Sequence, residues 1–174
     1  LLNAPADSAT AGEFLKKLPC IYSLSEYQMK YNHSPLEISH EVVLRKVSSQ
    51  EDKIAAIELD MKCFGMPEEA AKLFNERTQD EGTYYIIEVE GKTVGKIRVY
   101  REQNESWIYS FAVYPEHQGK GIGRKALTIV VSNEANHVQD IYLEVEIKNE
   151  RALGLYESCG FKQFQTQDYY VYKG

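Results

Sequence analysis

Between Ser106 and Arg124 the chain passes from a two-residue alternation through a glycine-rich turn into a helical period, and this passage constrains the fold more than any other stretch. Trp107, Tyr109, Phe111 and Val113 alternate with Ile108, Ser110 and Ala112, which reads as a strand over Ser106–Val113. A helix is predicted from about Gly121 to His137, with Ile122, Ala126, Ile129 and Val130 on one face. Ile141, Leu143, Val145 and Ile147 then mark a further strand. A strand–helix–strand step of this length requires a crossover and therefore a parallel pair. Upstream, Thr83–Val89 and Lys92–Tyr100 flank the tight turn Glu90-Gly91 and read as an antiparallel hairpin. The expected sheet is mixed, with helices on its faces: an α/β (α+β) chain.

The remaining elements follow from punctuation. Val42–Val47 reads as a strand, and Ser48 with Glu51 forms an expected capping box. The helix after it carries Ile54, Ile57, Met61 and Phe64 at helical spacing and stops at Gly65. Pro67, followed by Glu68 and Glu69, opens a second helix, where early carboxylates suit the helix dipole. Asn149 is a good N-cap for a helix bearing Ala152, Leu155, Tyr156 and Cys159 on one face, with Gly160 ending it. Phe161–Tyr172 is expected to close the chain as a hairpin.

Residues 1–40 read differently: a small, polar start, a helix end at Glu13–Leu18 stopped by Pro19, a strand over Ser25–Tyr31, and linker-like Asn32-His33-Ser34-Pro35. The sequence thus divides into an N-terminal segment, 1–40, and a principal domain, 41–174. Phe14, Leu15, Leu18, Ile21, Tyr22, Leu24, Tyr27 and Met29 make 13–31 too apolar for a solvated tail.

Composition bounds the function. At 174 residues, 43% hydrophobic, the chain can build a sizeable core. A net charge of −6 argues against broad nucleic-acid binding, which needs basic surface to meet phosphate, and suits a cationic substrate. Apolar runs are too short to span a bilayer, and the first residues lack the basic-then-apolar pattern of a signal peptide. Cys20, Cys63 and Cys159 have neither metal-ligand spacing nor a disulfide framework, and the four histidines share no zinc-like spacing; a reducing cytoplasm and no metal are expected.

The stretch Val113-Tyr114-Pro115-Glu116-His117-Gln118-Gly119-Lys120-Gly121-Ile122-Gly123-Arg124 joins strand to helix. The first turn of a helix has amides without intrahelical partners and a partial positive charge, which together suit a phosphate or diphosphate. Gly119, Gly121 and Gly123 let such a group approach the backbone, and Lys120 and Arg124 add cations. The glycines do not complete the dinucleotide fingerprint, and no Lys-Ser/Thr pair follows as a nucleoside-triphosphate loop requires. On glycine spacing alone, a flexible helix-capping turn stays equally open.

Gln118-Gly119-Lys120-Gly121-Ile122-Gly123 resembles the Gln/Arg-x-x-Gly-x-Gly/Ala signature of the GNAT superfamily of acetyl-coenzyme A-dependent N-acetyltransferases. The run Asn149–Phe161 resembles that family's Asn-x-x-Ala-x-x-Leu-Tyr-x-x-x-Gly-Phe stretch. The two are correctly ordered, and the resemblance covers residues 41–174. It implies a mixed sheet of six to seven strands with helices on both faces. It also implies that the strand before the glycine loop is bulged and splays from its parallel neighbour to form a coenzyme A cleft.

By that similarity, backbone groups of Phe111, Ala112 and Val113 pair with the pantetheine arm. Gln118, Gly119, Lys120, Gly121, Ile122, Gly123 and Arg124 hold the diphosphate, and Asn149 contacts the cofactor while also serving as N-cap. Tyr156 matches the family's general acid, which protonates the departing thiolate; its place on an apolar face leaves a plain core role open. No base is evident, because Trp107 stands where some relatives carry a glutamate. Glu105 and Glu144 are the alternatives, each otherwise a surface carboxylate. Tyr84, Tyr85 and Tyr109 are candidates for an acceptor pocket. The implied activity is transfer of acetyl from acetyl-coenzyme A to a small-molecule or peptide primary amine by direct attack in a ternary complex. The competing expectation is a coenzyme A-binding module without turnover. Homodimer formation is left open. Glu13–Leu18 and Ser25–Met29 also resemble the last helix and strand of such a domain, so the N-terminal segment reads either as a remnant of an upstream copy or as an extension covering a sheet edge.

Overall fold

A computed structural model describes Leu1–Gly174 as eight strands and five helices: β1 (Leu2–Pro5), α1 (Ala9–Leu15), β2 (Cys20–Tyr31), β3 (Val43–Lys46), α2 (Gln50–Phe64), α3 (Glu68–Thr78), β4 (Thr83–Val89), β5 (Lys92–Glu102), β6 (Glu105–Val113), α4 (Ile122–Ala135), β7 (Asp140–Glu146), α5 (Glu150–Ser158) and β8 (Phe161–Tyr172). The chain forms two compact units, His33–Ile141 and Leu1–Asn32 with Tyr142–Gly174. No helix is long and apolar enough to cross a membrane.

In the unit His33–Ile141, β3, β4, β5 and β6 form an antiparallel meander. Its core includes Ile86, Ile87, Val94, Ile97, Ile108, Ala126, Leu127 and Val131. Helix α2 packs on β5 and β6, and α4 on β6 and β3. Gly95 sits where a side chain cannot: a Cβ there would lie 2.4 Å from the Ala112 carbonyl oxygen of the neighbouring strand.

Helix α2 turns inward a different face from the one its apolar residues suggest. Ile54 and Phe64 are 56% and 50% exposed, while Asp52, Ala56, Leu59 and Asp60 are buried. The reason is that both buried aspartates have partners. Asp60 lies 2.6 Å from the wholly buried Lys96 ammonium and accepts from Asn75 Nδ2 at 2.7 Å. Burial pulls the Lys96 ammonium down, while Asp60 beside it acts in the opposite sense. Arg45 donates to both Asp52 oxygens at 2.8 Å. The capping box is shifted one residue from the expected Ser48–Glu51: Ser49 is the N-cap and Asp52 closes the box. Gly65 ends the helix in the left-handed conformation, φ 64°, as its position suggests.

The unit Leu1–Asn32 with Tyr142–Gly174 is antiparallel throughout, in the order β1, β8, β2, β7. The expected C-terminal hairpin is absent. Phe161–Tyr172 is one twelve-residue strand, and the equally long β2 lies between it and β7. The physical cause is legible afterwards: residues 161–172 contain no glycine, proline or asparagine to turn the chain. Met29, Tyr31, Leu143, Val145, Cys159 and Phe161 form the core here. The strand of the N-terminal segment is thus ordered by pairing on both edges, whereas Phe14, Ile21 and Tyr22 remain exposed. The sheet has eight strands against the expected six to seven, and β1 and β2 both come from this segment.

Asp52→Ala opens the capping box and removes one of the two carboxylate partners of Arg45, and is expected to cost about 2 kcal/mol, discounted because Arg45 is half in solvent. The Arg45 hydrogen bonds hold the folded Asp52 carboxyl well below the usual carboxylate range. Its stabilisation is therefore complete above about pH 4, the unfolded value, and fades as the pH falls further. Urea unfolding of both proteins between pH 7 and pH 3 checks this: the difference between them should shrink on acidification.

Candidate active site

The site begins with a defect in β6. Lys96 pairs with Ala112 and Arg98 with Tyr109, so β6 holds one residue more than β5 between those rungs. Ser110, inside that interval, has φ 48°. A bulge of this kind interrupts the ladder and resets which side chains face the core. Before it Ser106 and Ile108 are buried; after it Ala112 and Val113 are. The bulge expected from the family resemblance is present.

Several bonds fasten the strand end and the loop that follows it. The Tyr114 amide donates to the Val94 carbonyl at 2.9 Å. The Tyr114 hydroxyl donates to Glu58 on α2 at 2.9 Å; burial first, and then Glu58, push the phenol up. The Val113 carbonyl accepts from Gln118 Nε2 at 2.8 Å and from Cys63 Sγ at 3.3 Å. Gln118, expected to face the cofactor, thus ties the loop back to its own strand with its side chain. Pro115–His117 is a single 3-10 turn, and Gly119 and Gly121 follow with φ 75° and 77°. Gly121 is the N-cap of α4 and provides no side-chain cap. Space above it is open, with no heavy atom within 4 Å of an added Cβ.

The start of α4 therefore presents main-chain amides without a capping side chain, glycine on the approach, and the exposed cations Lys120 and Arg124. These residues fit a diphosphate. Lys125, one turn in, is bonded to Glu41. The structure brings together in one unit all the loop residues and Phe111, Ala112 and Val113.

Tyr156, Asn149 and Glu144 belong to the other compact unit, Glu105 to this one. Asn149 is the N-cap of α5, its Oδ1 accepting from the Ala152 amide at 3.1 Å. Tyr156 is buried, its ring edge-on to Phe161 at 6.3 Å. Burial raises the phenol, with Cys159 adding to the shift, so the group is held protonated. Glu105 accepts from Trp107 Nε1 at 3.0 Å near the β5–β6 turn, and Glu144 accepts from Gln28 Nε2 at 2.8 Å in mid-strand. Of the tyrosines expected near an acceptor, Tyr84 and Tyr109 flank the Arg98 guanidinium, at 5.6 and 4.9 Å. The Tyr114–Glu58 bond has no local signature, because its two ends are far apart along the chain and Glu58 belongs to no motif. No group of three or more His, Cys, Asp or Glu side chains is placed to hold a metal ion.

A bulged strand that runs into a glycine-lined helix start with no capping side chain is the arrangement of an α/β anion-binding site. The family model of the acetyltransferase (GNAT) family matches residues 53–161, and the chain belongs to that family. An N-alpha-acetyltransferase of Sulfurisphaera tokodaii is 28% identical over 108 residues, covering 54% of this chain and 65% of that protein. A spermidine N(1)-acetyltransferase of Vibrio cholerae is 27% identical over 100 residues, covering 54% of this chain and 58% of its own length. The chain thus spans less than two thirds of either relative. The crystal structure of a GNAT-family acetyltransferase from Colwellia psychrerythraea superposes with a TM-score of 0.73 at 14% identity, over 98% of this chain and 64% of that one, which establishes the shared fold.

Gly121→Asp should abolish acetyl-coenzyme A binding, because a carboxylate there fills and repels the diphosphate position. The fold should survive, weakened by about 1 kcal/mol for a non-glycine residue in the left-handed region. Calorimetry alongside thermal melting checks both; binding within a few-fold of wild type would show the loop to be misassigned.

Proposed function

We propose that the protein is an N-acetyltransferase that moves the acetyl group of acetyl-coenzyme A to a primary amine by direct attack in a ternary complex. The observation that carries this reading is the start of α4: amides with no capping side chain, opened by Gly121 in the left-handed conformation, beside Lys120 and Arg124. Amides and cations of Gly119–Arg124 hold the diphosphate. Main-chain groups at Phe111–Val113, beyond the bulge, take the pantetheine arm, and Asn149 contacts the cofactor in addition to capping α5. The acyl thioester supplies the electrophile. The amine nitrogen bonds to its carbonyl carbon, and the C–S bond breaks on collapse. Tyr156, held protonated by burial, gives its proton to the departing thiolate, and the proton released by the attacking nitrogen passes to solvent, from which the tyrosinate is reprotonated.

A cationic acceptor is in keeping with the net charge of −6. The names of two relatives, acting on spermidine and on the alanine of a ribosomal protein, support amine acceptors of both small-molecule and peptide kind. Three free thiols suit a reducing compartment such as the cytoplasm.

The test is thiol release with acetyl-coenzyme A and a panel of polyamines, aminoglycosides and peptide amines, with mass spectrometry of the acceptor. Acetylated amine is expected; tight coenzyme A binding with no thiol release from any amine would make the protein a binding module instead. Tyr156→Phe should lower kcat by about two to four orders of magnitude. It should leave acetyl-coenzyme A affinity nearly unchanged, because the ring remains. A folded Tyr156→Phe protein with most of its turnover would assign the ring to packing alone.

A further inference from the structure

Arg98 stands in a row of three across the sheet of the unit His33–Ile141. Tyr84 of β4 is its register partner on one side and Tyr109 of β6 on the other. Their rings lie 5.6 and 4.9 Å from the guanidinium carbon. Lys96, two residues earlier on the same face of β5, meets Asp60 of α2 at 2.6 Å, so this is the face on which α2 packs. The Arg98 side chain is only 8% exposed, yet it is poorly matched. Its Nη1 donates to the Glu81 carbonyl at 2.9 Å and, at a long 3.4 Å, to the Glu81 carboxylate, which is itself 59% exposed. Nε is enclosed without a hydrogen-bond partner, and Nη2 donates to no protein atom.

Three residues along, Arg101 shows what the same edge does when it is matched. Its Nε and Nη2 hold the two oxygens of Glu134 at 3.0 and 2.9 Å. Arg45 likewise spends Nε on Glu88 and both terminal nitrogens on Asp52. Arg98 carries the same planar pair of donors with nothing on it, and a buried charge left in that state is costly. The two tyrosine rings fix the plane of the fork, so its bare edge is held ready for a planar, two-oxygen acceptor.

Resting on the acetyltransferase reading, we propose that Arg98 determines acceptor specificity, and that the acceptor carries a carboxylate as well as its amine. With the diphosphate at Gly119–Arg124 and the pantetheine arm along Phe111–Val113, the cofactor runs away from the loop and its acyl end reaches the bulge at Ser110. The next rung of the ladder is Tyr109–Arg98. Two residues of strand span about 7 Å, so a short acceptor whose carboxylate takes Nε and Nη2 brings its amine to the thioester. Glu81 is the competing carboxylate. Its bond to Nη1 is long and its side chain is mostly in solvent, so it yields to a ligand that makes two short bonds. The overall charge of −6 attracts the ammonium end of such an acceptor, and Arg98 selects by the other end. A free amino acid and a peptide with an acidic side chain next to its terminal amine both supply this chemistry.

The test measures kcat/KM for acceptor pairs that differ only in the carboxylate: alanine against alaninamide, and alanyl-glutamyl peptide amide against its alanyl-glutaminyl counterpart. Wild type, Arg98→Met and Glu81→Gln are compared, each checked by melting and by acetyl-coenzyme A calorimetry. The wild type should prefer the carboxylate member about ten- to a hundredfold, the usual worth of hydrogen bonds to a charged group. Preference in the first pair identifies a free amino acid as the source, and preference in the second a peptide. Arg98→Met should erase the preference through KM for the acceptor, with acetyl-coenzyme A affinity unchanged, and Glu81→Gln should raise it a few-fold. If Arg98 only fastens the turn before β4, its loss should instead weaken both members of each pair equally. Equal kcat/KM within both pairs in the wild type, or a preference that survives in folded Arg98→Met, overturns the proposal and leaves the acetyltransferase reading intact. Should Arg98→Met not fold, an unchanged preference in Glu81→Gln overturns it. If the wild type acetylates no amine, the acetyltransferase reading fails, and the ¹H–¹⁵Nε resonance of Arg98 decides the carboxylate site. A saturable shift with N-acetylalanine or the acetylated alanyl-glutamyl peptide amide, absent with N-acetylalaninamide, supports it; no shift with either overturns it.

Discussion

The extra residue in β6 is the feature on which the rest of the active-site geometry hangs. Without it, the alternation set by Ser106 and Ile108 would continue, and Ala112 would not fall into the core beside Leu59 and Tyr114. The bulge permits Tyr114 to bond Val94 and Glu58 at once, and this fixes where the strand stops and where the 3-10 turn and glycines begin. The positive φ of Ser110 is an uncommon conformation for a residue with a side chain, held here by ladder bonds on either side.

A second dependence runs through α2. Two aspartates on its inner face meet Arg45 and Lys96, so the helix is held on its sheet by charge as well as by Leu59 and Ala56. A buried pair such as Asp60–Lys96 contributes little net stability relative to an apolar pair, yet removing one member leaves the other uncompensated. Its effect is to fix register. Asp60 opposite Lys96 places Cys63 against Val113, at the mouth of the loop.

How much of this was legible in the sequence depended on whether a signal was local. Glycine and asparagine at Gly65, Gly121, Asn149 and Gly160 marked helix ends correctly because each acts on its own backbone. The glycine loop and the Tyr156 helix were visible as two spaced motifs. What failed was non-local. Ile54 and Phe64 suggested a face that burial does not use, because Arg45 and Lys96, the partners that make Asp52 and Asp60 tolerable inside, lie on other strands. The C-terminal hairpin failed for the same reason: the strand beside β8 and β7 comes from residues 20–31, and pairing at that separation leaves no mark in either segment. Gln28 and Glu26 were therefore invisible as neighbours of Glu144.

The central claim is that the amides of Gly119–Arg124 and the strand end at Phe111–Val113 form one binding surface for coenzyme A. Backbone amide chemical shifts of ¹⁵N-labelled protein, followed during titration with coenzyme A, test it directly. The account predicts the largest shifts at Gly119, Gly121, Ile122, Gly123 and Arg124, continuing through Phe111–Val113, with residues of α3 and β3 unmoved. Saturable binding that leaves the 119–124 amides unshifted would contradict it.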